Sequence, residues 1–166
     1  MTTCVISDIH DNLVNLEKCL AWCQKEKIEA LICCGDITNE ETVEFISQNF
    51  SGPIYLVRGN MDIYEEGILK QFKNIKNLGR TAIAEIGRRK IGLCHEPFLI
   101  ADVMALGACD VIFYGHTHKP MIEEREGIKI INPGTLGGVF QKATFAFYDT
   151  EQGILELKIL EVMVNG

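Results

Sequence analysis

All four histidines of this 166-residue chain stand just beyond apolar runs. They lie in the short motifs Asp8-Ile9-His10, Leu93-Cys94-His95 and Gly115-His116-Thr117-His118. Two further turns share that placement, Gly35-Asp36 and Arg58-Gly59-Asn60-Met61-Asp62. Imidazole used at such places and nowhere else points to metal ligation. A single structural zinc wants four ligands, usually with cysteine among them. Here Asp8, His10, Asp36, Asn60, His95, His116 and His118 offer oxygen and nitrogen only. Shared between two divalent ions, with one carboxylate bridging, these donors leave positions open for water and substrate. Two ions about 3.5 to 4 Å apart can share a hydroxide, lower its pKa and clamp both oxygens of an in-line phosphoryl displacement. The chemistry indicated is hydrolysis.

Positioning such donors is the task of the elements before them. Thr3 to Ser7, Ala30 to Cys34 and Ile54 to Val57 read as strands, and Leu13 to Lys25 and Glu41 to Asn49 have helical spacing. Strand and helix in alternation imply parallel pairing with right-handed crossovers. After Thr81 the pattern becomes hairpin-like, with Thr81 to Ile86 and Lys90 to Cys94 joined at Gly87-Arg88-Arg89. A helix from Phe98 to about Leu106 and a strand at Val111 to Tyr114 follow. The end reads as strands alone: Met121 to Glu124, Lys129 to Asn132, Thr144 to Tyr148 and Ile154 to Val162. Two mixed sheets packed face to face with helices outside satisfy both halves. Every candidate ligand then follows the carboxyl end of a strand, the edge where open α/β sheets bind ligands.

Composition bounds the rest. The length and the 47% apolar content predict one domain spanning 1–166. Sixteen basic against 23 acidic residues give a net charge of −7, the wrong sign for holding long nucleic acid by counterion release. Seven cysteines without a C-x-x-C pair read as reduced core residues of a cytoplasmic protein. No apolar stretch approaches the roughly 18 residues of a membrane span. Exposed strand edges in the second half allow a homo-oligomer.

Taken in order, Asp-x-His, Gly-Asp, Gly-Asn-x-Asp, a lone His after a strand and Gly-His-x-His resemble the calcineurin-like metallophosphoesterases. The short length, Asn15-Leu16-Glu17 and Asn132-Pro133-Gly134-Thr135 are most similar to the small YfcE-type phosphodiesterases. The resemblance implies a four-layer α/β/β/α sandwich. It implies one metal on Asp8, His10, Asp36 and His118, a second on Asp36, Asn60, His95 and His116, and Asp36 as the bridge. It also implies a phosphodiesterase acting on small phosphodiesters with a metal-bridging hydroxide as nucleophile. Mn²⁺ is the first expectation for the metal, and Fe, Co, Ni or Zn suit the same donors. Asp36, Asn60 and His116 are the expected catalytic residues. Arg58 either meets a phosphate oxygen or forms a supporting ion pair, and Asn12 either bonds the phosphate or starts the helix at Leu13.

Two departures from the family pattern stand out. Many members carry His within Gly-Asn-x-Asp, where it is thought to protonate the leaving oxygen with Asp62 orienting it, but this chain has Met61. Methionine has no proton to give, which biases the reaction toward esters with good leaving groups. Glu96-Pro97 stands where relatives have Gly, and Glu96 is expected to add negative charge at the mouth. A different class of function also fits the fold: the small scaffold subunit of the retromer coat binds protein partners. Relatives of that type lack a metal-site His, whereas all seven positions are filled here. A nuclease of the superfamily would bring extra domains or a basic surface.

Overall fold

Helix α1 (Leu13–Lys25) begins where the Asn12 side chain accepts a hydrogen bond from the Asn15 backbone N–H at 3.1 Å. Its buried residues Leu16, Cys19, Leu20 and Cys23 recur three and four apart, so one face of the helix is apolar and must be covered. The cover is a sheet. A computed structural model describes residues 1–164 and gathers their strands into two mixed sheets. The first has β1 (Thr2–Ile6), β2 (Ala30–Cys33), β3 (Ile54–Leu56) and β4 (Ile75–Asn77) in parallel. On the other side of β1, β10 (Thr144–Asp149) and then β11 (Leu155–Ile159) add antiparallel. The second sheet runs β5 (Thr81–Ile86), β6 (Arg89–Cys94), β7 (Val111–Phe113), β9 (Ile128–Asn132) and β8 (Met121–Arg125), with its central pairs β6–β7 and β7–β9 parallel.

Because successive strand residues face opposite ways, each strand feeds two cores. Cys4 and Ile6 of β1, Cys33 of β2 and Phe145 of β10 pack with the α1 face and with Val43 and Ile46 of α2 (Glu40–Asn49). Val5, Ile32 and Cys34 meet Leu93, Phe113 and Ile131 between the sheets. On the far side, Cys94, Ile112 and Ile130 pack against Ile100 and Val103 of α3 (Ile100–Leu106). The result is the expected α/β/β/α sandwich. Cys33 and Cys34 fall into different cores, as their adjacency on a strand requires.

One expectation is corrected. The last segment does not stay extended through Val162: β11 ends at Ile159 and α4 (Leu160–Val164) follows. Adjacent Ile159 and Leu160 break the alternation, and Leu160 with Met163, three apart, turn together into the core beneath α1. The stretch between Met61 and Gly79, to which the sequence assigns no element, holds a 3₁₀ segment (Glu66–Gln71) and the edge strand β4. Three largely exposed residues, Ile-Lys-Asn, are too few to show a period. Among the described residues, no helix is long and apolar enough to cross a membrane.

Candidate metal centre

Five of the seven candidate ligands sit in left-handed backbone: Asp8, His10, Asp36, His116 and His118, with φ between 47° and 70°. That region costs a non-glycine residue roughly 1–2 kcal/mol, and strain of this kind concentrates at functional sites. Hydrogen bonds between loops hold it. Asp8 N–H donates to Gly35 C=O at 3.1 Å, His10 N–H to Asp36 C=O at 3.1 Å, and Gly137 N–H to Asp8 C=O at 2.9 Å. His116 N–H donates to Asp8 Oδ2 at 3.0 Å, which ties the second sheet's loop to the first sheet's carboxylate.

The side chains converge. His118 Nε2 lies 3.2 Å from Asp8 Oδ1 and 3.1 Å from His10 Nε2. His10 Nε2 is in turn 3.8 Å from Asp8 Oδ1 and 3.9 Å from Asp36 Oδ2. His95 Nε2 is 3.2 Å from Asp36 Oδ2, and the His95 and His116 rings are 5.3 Å apart. Asn60 Oδ1 pairs with His116 Nδ1 at 2.9 Å. All seven therefore form one continuous group at the carboxyl ends of β1, β2, β3, β6 and β7.

The donor set fits divalent cations. Asp8 Oδ1 and His95 Nε2 are buried without a hydrogen-bond partner, a costly arrangement unless a ligand completes it. His95 Nδ1 donates to Cys34 C=O at 2.6 Å, which leaves the Nε2 lone pair facing the carboxylates, as a metal-binding imidazole requires. Two subgroups, Asp8 with His10 and His118 and Asp8 with Asp36 and His95, each bring their donor atoms within 4.8 Å of one another. Electrostatics follow burial. Asp8 loses solvation and its pKa is raised, with His95 pulling the other way. Burial also opposes ionisation of Asp36, but the His95 ring, the Met61 N–H and His10 outweigh it and hold that carboxyl below the usual range. Burial would lower His95, yet Asp36 and Asp8 raise it.

Arg58 and Asn12 have other partners. Arg58 Nη2 donates to Asp62 C=O at 2.8 Å, and its guanidinium lies 5.1 Å from the Tyr64 ring centre. Asn12 caps α1 and donates through Nδ2 to Gly137 C=O at 2.9 Å. These bonds take one N–H of each side chain and leave further donors on both. Glu96 does not charge the mouth as expected: it is buried, and Oε1 accepts from Arg80 Nη2 at 2.6 Å.

Sequence reasoning missed the braces. Asp62 is buried and accepts three backbone N–H donors, Thr38 at 2.9 Å, Gly59 at 2.7 Å and Asp36 at 3.2 Å. It thereby pins the Asp36 loop to the Asn60 loop. Asp62→Asn puts an NH₂ group against those donors and is expected to cost about 1–3 kcal/mol, measured as a lower urea midpoint at unchanged slope. Asp11 similarly accepts from Asn39 N–H at 3.0 Å and Thr42 Oγ1 at 2.6 Å at the start of α2. Asn132 Nδ2 donates to Gly115 C=O at 2.7 Å, and Thr135 Oγ1 to Asp8 C=O at 2.9 Å. The Asn-Pro-Gly-Thr run was the one visible signal of this support.

Known proteins share the family and the fold. The family model described as the calcineurin-like phosphoesterase superfamily domain matches residues 1–153. A phosphodiesterase of Methanocaldococcus jannaschii is 29% identical over 163 residues, covering 89% of this chain and 92% of the relative. A solved archaeal phosphodiesterase superposes with a TM-score of 0.85 at 27% identity, over 96% of this chain and 99% of that one. The Escherichia coli phosphoesterase YfcE shares the fold, with a TM-score of 0.75 at 24% identity over 98% and 95% of the two chains. So does zinc-complexed Vps29 of Entamoeba histolytica, with a TM-score of 0.69 at 20% identity over 95% and 97%.

Proposed function

The chain belongs to the calcineurin-like phosphoesterase superfamily and is a phosphoric ester hydrolase, and within that class we propose that it cleaves small phosphodiesters at a two-metal centre. The observation that carries this reading is the pair of buried, partnerless donors, Asp8 Oδ1 and His95 Nε2, inside a ring of seven oxygen and nitrogen ligands. We assign Asp8, His10, Asp36 and His118 to one ion and Asp36, Asn60, His95 and His116 to the other, with Asp36 shared. Mn²⁺ suits these donors, as do Fe, Co, Ni and Zn. When bound, two such ions supply an acidified water as nucleophile and Lewis-acid stabilisation of the phosphoryl oxygens.

The chain's own residues do the rest. Asp36 is held ionised by its neighbours, so it stays a full negative charge at neutral pH. His116 and Asn60 are solvent-exposed at the centre, placed to meet charge developing on the phosphoryl group. Met61 fixes the loop through its backbone N–H, which donates to Asp36 Oδ1 at 2.8 Å, while its side chain is 50% exposed. The side chain at this position has no proton to donate, which favours esters whose leaving group is already a stable anion.

The test is the initial rate on bis(p-nitrophenyl) phosphate beside p-nitrophenyl phosphate, with metal-stripped protein titrated with Mn²⁺. Diester hydrolysis should appear as about two ions bind per chain. Met61→His should raise hydrolysis of an alkyl phosphomonoester relative to the diester, by up to about 10²-fold, because a positioned general acid matters most for a poor leaving group. An unchanged ratio would remove the argument from Met61. The scaffold reading draws on fold likeness to Vps29 alone, and metal binding without turnover of either ester would favour it.

A further inference from the structure

The outer face of β1 carries a second group of metal-binding side chains, all sulfur. Cys4 on β1 meets Cys19 and Cys23, which lie one helical turn apart on the buried side of α1. Their three Sγ atoms lie within 4.8 Å of one another, and Cys4 and Cys19 approach to 3.8 Å. All three residues are buried, at 0%, 0% and 1% exposure. Cys23 also borders a cavity of about 540 Å³ between α1 and the end of α2, beside Gln24, Lys27, Ser47 and Asn49.

Soft thiolates select ions that oxygen and nitrogen sites hold less well. For four-coordinate zinc with Zn–S of about 2.3 Å, the sulfur–sulfur edge of the tetrahedron is about 3.8 Å, which is the Cys4–Cys19 separation. We propose that Cys4, Cys19 and Cys23 form a three-thiolate site for a zinc-like divalent ion, distinct from the phosphoesterase centre.

Hydrogen bonds from Cys19 and then Cys4 lower the Cys23 thiol from its ordinary range, whereas burial pushes Cys4 up and the bond to Cys23 pushes Cys19 up. Binding of the divalent ion forms three metal–sulfur bonds and releases the thiol protons to solvent. The complex carries a net charge of minus one, and the cavity lining holds one cation, Lys27, and no carboxylate. An ion bound there would cross-link β1 to α1, so it would stabilise the folded chain in proportion to its concentration.

Cobalt(II) titration of the metal-stripped full chain tests the proposal. A thiolate-bound ion gives a near-ultraviolet sulfur-to-cobalt charge-transfer band, which the proposed phosphoesterase centre, with no sulfur ligand, does not give. The band should plateau at the intensity of one sulfur-bound ion per chain, whatever the oxygen and nitrogen sites take up, and be lost in Cys19→Val and in Cys23→Ala, but persist in Cys109→Ala, whose thiol lies in a different core. Cadmium NMR of the unsubstituted protein provides a readout that needs no variant to fold, with one strongly deshielded sulfur-bound resonance apart from those of the oxygen and nitrogen sites. Absence of the band and of that resonance would overturn the proposal and leave the three as packed thiols. So would a band that survives both substitutions in the trio. Failure of ester hydrolysis would leave these readouts unaffected, because none depends on turnover.

Discussion

Replacing Asp36 with alanine is expected to lower bis(p-nitrophenyl) phosphate hydrolysis by about 10³-fold or more, the scale of losing a main electrostatic stabiliser at a reacting centre. Asp36 faces both halves of the assigned centre, with Oδ2 at 3.2 Å from His95 Nε2 and 3.9 Å from His10 Nε2, as does Asp8, with Oδ1 at 3.2 Å from His118 Nε2 and 4.0 Å from His95 Nε2. The alanine variant should also bind fewer ions, read directly by metal analysis after gel filtration. The same substitution has a consequence without metal. Because the folded environment lowers the Asp36 pKa, its carboxylate contributes stability above the ordinary carboxylate pKa, and that contribution is lost as pH falls through the lowered value. Metal-free Asp36→Ala should therefore melt with less acid sensitivity than the parent across that window. Retained diester activity at full metal loading would remove Asp36 from the centre.

Gly59→Ala is expected to cost about 1–3 kcal/mol of stability and about 10²-fold in diester hydrolysis. A Cβ at Gly59 would collide with the Asp36 carboxylate and backbone N. The backbone nitrogen cannot rotate away as a flexible side-chain tip could, so the β2 and β3 loops must separate. Separation breaks the Asp36 and Thr38 N–H bonds to Asp62 and moves Asp36 relative to Asn60. The activity loss should exceed what unfolding explains, so assays well below the melting temperature decide the matter. A variant with parental activity there would show that the two loops need not touch.

The ligand positions were legible because metal ligation demands a few residue types and strand ends are marked by where apolar runs stop. His95 follows such a run directly, and Asp8 and Asp36 follow one after a single small residue, Ser7 and Gly35. The braces were hidden for the opposite reason. What Asp62 does depends on backbone N–H groups of Thr38 and Gly59, and a backbone donor leaves no mark in a sequence. Glu96 was misread because nothing near it in the chain announces Arg80, 16 residues earlier. For the fold, long alternating or helical segments were readable, whereas β4 was too short to show a period. The turn into α4 was decided by which core Leu160 and Met163 could reach.

The group at the strand ends draws on both sheets, and its seven members lie beyond the strands rather than in the three apolar cores. Inheritance is affected by that separation. A lineage descending from such a protein can lose a ligand such as His116, which is exposed and belongs to no core, and keep a folded sandwich whose surface is free to drift toward other uses. Gly59 and Asp62 lack that freedom, because the same atoms that shape the centre also tie two loops of the scaffold together. In a saturation-mutagenesis library sorted separately for abundance and for hydrolysis, the exposed ligands should fail only the second sort, and these two braces should fail both.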